Sequence, residues 1–85
     1  MIMSEILNER IKVGAVFGDG AIKPKWFVRG SIRFDIANIN YRWRTREGRN
    51  IVHHFSVSDG MNVFELAYSS EESNWMLVAA KSPGD

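Results

Sequence analysis

Glycine-centred turns cut this chain at short, regular intervals. Gly18-Asp19-Gly20, Arg29-Gly30-Ser31, Glu47-Gly48-Arg49-Asn50 and Ser58-Asp59-Gly60 each stand between runs rich in Val, Ile and aromatic residues. Glycine reaches the positive φ that tight hairpins need, and Asp and Asn tolerate it. A fifth breaker, Ser69 to Asn74, is longer and polar. Turn signals at intervals of roughly 8–12 residues mark a small all-β meander.

The runs between the turns predict strands near residues 10–17, 21–29, 31–45, 50–57, 61–68 and 74–80. Alternation assigns their inward faces. Ile11, Val13, Ala15 and Phe17 form one series, Trp26 and Val28 the next, then Ile32, Phe34 and Ile36. Ile39, Tyr41 and Trp43 follow, then Ile51, Phe55 and Val57, then Phe64, Leu66 and Tyr68. Trp43 and Phe64 are therefore expected to be largely buried. The step from Ile36 to Ile39 is odd, so a bulge or sharp bend near Ala37-Asn38 must restore register. Pro24, without an amide hydrogen, belongs at an edge or a strand entrance. The expected fold is a six-stranded, strongly curved antiparallel meander, either open or closed into a small barrel. Residues 1–9 are expected to fray or to form a short helix from Ser4 to Asn8. Residues 10–80 form the single β domain, and residues 81–85 a flexible tail.

Eighty-five residues leave room for one domain. The chain is 45% hydrophobic and 25% charged, a globular rather than a disordered composition. It has no cysteine, which excludes a disulfide scaffold, a zinc ribbon, an iron–sulfur site and a thiol nucleophile. No apolar run approaches the roughly 18 residues of a membrane helix. Met1–Ile11 carries Glu5 and Glu9 and no cationic leader. The expectation is a cytoplasmic protein without membrane contact.

Signatures of catalysis are sparse. His53 and His54 are the only histidines, and adjacent strand residues point to opposite faces, so they cannot share a metal or act as one dyad. His53 is in phase with Ile51 and Phe55, toward the core or a barrel mouth; His54 is in phase with Ser56, toward solvent. Gly14, Gly18 and Gly20 lack the Lys-Ser/Thr and helix of a phosphate loop. Asp59 before Gly60 reads as a hairpin residue rather than a base. Neither an enzyme nor a cofactor is expected.

Charge is distributed unevenly. Residues 1–50 carry ten basic and five acidic side chains, residues 51–85 one basic and five acidic. Arg42, Arg44 and Arg46 alternate with Tyr41, Trp43 and Thr45, so period two puts all three guanidinium groups on one face. Arg29 and Arg33 flank the preceding turn. Such a row on a curved sheet is the footprint of a single-stranded nucleic-acid binder. Its competing reading is an ordinary wet strand face paired with Glu65 or Glu72, while Tyr41 and Trp43 point to the core. In the last run, Trp75, Leu77 and Ala79 alternate with Met76, Val78 and Ala80, and both faces are apolar. One face of an exposed antiparallel strand should be polar. Trp75, Met76, Val78 and Ala80 are thus candidates for an interface with a protein partner or a second copy, through an unguarded terminal edge. The alternative is that the N-terminal segment, with Ile6 and Leu7, covers that strand. A non-enzymatic interaction module is the leading expectation, nucleic-acid binding the second.

Trp26-Phe27-Val28-Arg29-Gly30 through Phe34-Asp35-Ile36, then Asn40-Tyr41-Arg42-Trp43, Val63-Phe64-Glu65-Leu66-Ala67-Tyr68 and Trp75-Met76-Leu77 together span most of residues 22–78. They resemble a family of small bacterial all-β domains of unknown function. The resemblance implies an all-β fold and a bacterial origin, and no activity.

Overall fold

The structure, a computed structural model, describes residues 2–83, with side chains over residues 6–81. Strands take up most of the described residues, and the all-β expectation holds. They are β1 (Ile2–Gly18), β2 (Ala21–Arg29), β3 (Ile32–Asp35), β4 (Asn38–Glu47), β5 (Asn50–Ser58), β6 (Val63–Ser69) and β7 (Asn74–Pro83). The expected glycines make the turns: Gly20, Gly30, Gly48 and Gly60 all have positive φ.

All seven strands form one antiparallel sheet in the order β3-β2-β1-β7-β6-β5-β4. Every strand lies beside its sequence neighbour except β3 and β4, which end up at opposite edges. The expected third run, 31–45, is thus two strands. It breaks at Ile36-Ala37, beside the anticipated bend, and the chain passes there from one edge to the other. The sheet is strongly curved and is not closed into a barrel.

Two expectations for the termini are corrected. Residues 2–9 are neither frayed nor helical: β1 pairs with β7 from Ile2↔Pro83 to Ile11↔Trp75, then with β2 from Lys12↔Val28 to Gly18↔Ala21. Lys81 to Pro83 likewise belong to β7 rather than to a tail. Gly84 and Asp85 lie outside the described residues.

The core is Phe27, Phe55, Val57, Phe64, Leu66, Trp75 and Leu77, with Leu7, Ile11, Val13, Ala15, Ile22, Phe34, Ile36, Ile39, Tyr68 and Ala80 packed against it. Phe27, Phe34 and Phe64 make mutual ring contacts at 4.9–5.3 Å. Most strand phases agree with the alternation, and Phe64 is buried as expected. The departures come from bulges. Ala15 pairs with Pro24 and Gly14 with Trp26, so Lys25 is an extra residue and the inward phase steps to Phe27. Trp26 is therefore not inward. Its indole lies over Gly14, where it leaves no room for a Cβ. Ile32 and Phe17, also expected inside, are largely exposed.

Candidate functional site

β4 carries the arginine row and a bulge of its own. Ile39 pairs with Val57 but Tyr41 pairs with Ser56, so Asn40 is the extra residue. Beyond it the faces exchange. Arg42 stands opposite Phe55, Arg44 opposite His53 and Arg46 opposite Ile51. Directly opposed residues share a face, and Phe55 is a core residue. The three arginines therefore share the concave side of the sheet. Tyr41 and Trp43 take the convex side, against the expectation that they point to the core; Trp43 is 40% exposed and Tyr41 73%. Trp43 stacks on His54 at 5.1 Å with the rings nearly parallel. Thr45 Oγ1 and His54 Nε2 are 2.8 Å apart, at hydrogen-bond distance.

The row faces a cleft. β3 pairs with β2 only from Trp26 to Arg29, which leaves the first half of β2 uncovered on that side. That half forms one wall, with Gly20, Ala21 and Ile22; Arg42, Trp43 and Arg44 form the other, with His53 and Phe55 beneath. The cleft measures about 350 Å³. A second hollow of about 260 Å³ shares Arg44 and continues past Thr45 to Arg46 and Ile51.

The five candidate arginines separate into two groups. Arg29 donates through Nε and Nη2 to the two carboxylate oxygens of Glu9, each at 3.0 Å. Arg33 donates to Asp35 at 2.9 Å and lies 4.7 Å from the Trp26 ring centroid. Both face structural partners away from the cleft. Arg42, Arg44 and Arg46 form no ion pair among the described residues, and neither Glu65 nor Glu72 meets them. His53 lies toward the core side as the alternation predicts, 6.3 Å from the Tyr68 ring. Its pKa is held below the ordinary histidine range by burial, then by Arg44 and His54. The imidazole is therefore mostly neutral at pH 7.

Other singled-out residues have structural roles. Asp59 accepts hydrogen bonds from the Met61 and Asn62 amides at 2.9 and 2.7 Å, a side-chain-mimicked turn. Burial acts to raise its pKa, but these amides outweigh it and the carboxyl lies below its usual range. Among the described residues no group of three or more His, Cys, Asp or Glu side chains could hold a metal, and no helix is long and apolar enough to cross a membrane.

The open edge expected at the last strand is not found there. β7 lies between β1 and β6 and is no edge. Trp75 is buried against Phe55 and Tyr68, with ring centroids 5.6 and 5.0 Å apart. Leu77 pairs with Leu66 and Ala79 with Glu65, so Val78 is a bulge and the inward phase steps from Leu77 to Ala80. That step produces the two-sided apolar pattern; only Met76 and Val78 keep partial exposure outside the core. The N-terminal segment does not cover β7 from outside but pairs with it edge to edge. The wall supplied by Gly20 to Ile22 was not foreseen; only the strand order brings that hairpin opposite β4.

The chain matches no protein-family model, and neither a curated protein nor a solved structure shows significant similarity to it.

Proposed function

We propose that this domain is a non-enzymatic binding module for single-stranded nucleic acid, acting in the cytoplasm. The observation that carries the reading is the bulge at Asn40. It brings Arg42, Arg44 and Arg46 to one side of an open cleft with no carboxylate partner among the described residues. Alternate residues advance about 6.8 Å along a strand, so the row is spaced to meet successive phosphates of an extended chain. Guanidinium forks suit phosphate oxygens, and Ile22 and His53 offer apolar and ring surface beside them.

Fluorescence anisotropy with a single-stranded oligonucleotide tests this. Three neutralised phosphates predict a slope of log affinity against log salt of roughly −2, at about −0.7 per phosphate on a single strand. Replacing the three arginines together by serine should abolish binding and leave the β-sheet circular dichroism intact. No binding at about 50 mM salt, where counterion release favours association, would retire the proposal.

A second reading, association with another protein or a second copy, draws on β4 itself. It is a ten-residue edge strand with unpaired backbone groups and with Tyr41 and Trp43 exposed. A dimer in sedimentation that Trp43→Lys disperses would favour it; a wild-type monomer at high micromolar concentration would exclude self-association.

A further inference from the structure

The arginine cleft is closed at one end. There the chain crosses between the sheet edges: the Ile36 amide donates to the Lys25 carbonyl at 2.9 Å and the Ala37 amide to the Ser58 carbonyl at 2.8 Å. This two-residue strap ties the wall formed by β2 to the β4–β5 wall. Ile36 and Ile39 pack on the core beside it, and Pro24 is buried. Backbone and apolar side chains thus block the cleft at its base. β4 leaves the strap at Asn38, so Arg42 is the nearest of the three arginines to it, Arg44 follows, and Arg46 stands toward the Glu47-Gly48 turn.

A polymer lying along this row cannot continue through the strap. We infer that the cleft receives the end of a single strand and holds its terminal phosphate between Arg42 and Arg44; this rests on the nucleic-acid reading above. A terminal phosphomonoester carries about −1.5 to −2 charge at pH 7 and three free oxygens, as phosphorylated side chains do. An internal diester has a single charge and two free oxygens. Two guanidinium forks on the same strand face, about 6.8 Å apart along the backbone, can converge on one such group. His53, opposite Arg44, supplies a further ring nitrogen to the same anion. Arg46 is left to meet a later phosphate toward the mouth.

The test uses the full chain and one short single-stranded sequence in four forms: 5′-phosphorylated, 3′-phosphorylated, hydroxyl at both ends, and covalently closed into a circle. One of the two phosphorylated forms should bind about tenfold tighter than the hydroxyl form, the ratio given by one added charge-assisted contact. The circle should compete no better than the hydroxyl form. Arg42→Ser should erase the preference for the phosphorylated end, whereas Arg46→Ser should weaken all forms and preserve it. A circle that competes as well as the best linear strand would overturn end capture and leave nucleic-acid binding standing. Equal loss of the preference in both variants would also overturn it. Failure of all four forms to bind would remove both readings together.

Discussion

His53 faces Arg44 across the β4–β5 ladder, where burial and two neighbouring basic groups disfavour its protonated form. Unfolded, the imidazole takes a proton at its ordinary pKa; folded, it does so at a lower pH. Between those values the unfolded chain binds more protons. The stability from this group is therefore whole above the ordinary histidine pKa and is lost as pH falls through the folded one. A bound phosphate acts in the opposite direction, since an anion favours imidazolium. Two observations should follow by NMR. The His53 ring resonances should titrate at lower pH than those of an unstructured histidine, and oligonucleotide should move that midpoint upward. Affinity should then rise as pH falls through the ligand-bound midpoint and level off below the free one, which lies under the ordinary histidine value. A midpoint unmoved by saturating oligonucleotide would place the ligand away from His53.

Strand position decides what an aromatic residue contributes. Phe64 is on the interior strand β6, 5% exposed and in contact with Phe27 and Phe34. Trp43 is on the edge strand β4, open to solvent on one side and stacked on His54. Phe64→Ala should cost roughly 3–5 kcal/mol through lost burial and cavity formation. Trp43→Ala should cost about 0.5–1.5 kcal/mol, the worth of an aromatic pair. Urea denaturation of both variants checks the contrast, and equal losses would put Trp43 in the core. Turns, strand number to within one, and most inward series were legible in the sequence because glycine and alternation announce themselves. Bulges do not. Asn40, Lys25 and Val78 are ordinary residues, and each hides in a stretch that still reads as regular. Ile39, Tyr41 and Trp43 alternate without a gap, so the exchange of faces after Asn40 left no trace. Trp26 and Phe27 are both apolar, which concealed the step at Lys25. In β7 the same ambiguity around Val78 made both faces read as apolar. The one irregularity that showed was the odd step from Ile36 to Ile39, and there the chain does bend. The arginine row itself was legible, but its segregation from Arg29 and Arg33 depends on Glu9 and Asp35, which pairing and side-chain geometry bring within reach.

At the scale of the molecule, the ladder between β1 and β7 joins two sets of strands, β3-β2-β1 and β6-β5-β4, into one sheet. Phe27 comes from one set and Phe55, Phe64 and Leu66 from the other, so neither set holds the core alone. A chain ending at Ser73 would lose Trp75 and Leu77 as well as the joining ladder. It should be unfolded by circular dichroism and by amide dispersion in NMR, not a smaller sheet. Retention of dispersed β-sheet resonances would show that one set folds independently.

That ladder pairs Ile2 with Pro83 and Ile11 with Trp75, so residues far apart in sequence must meet before the sheet is whole. Contacts of such separation raise the contact order, which slows folding of small β domains toward the millisecond-to-second range. A ribosome making this sheet emits β1 well before its partner β7. Until β7 emerges, the apolar side of β1 has no neighbour there, and the hairpin ladders of β2–β3 and β4–β6 can form only as fluctuating local structure. Folding of the sheet is thereby postponed until β7 has emerged, and until then β1 holds an unpaired strand edge.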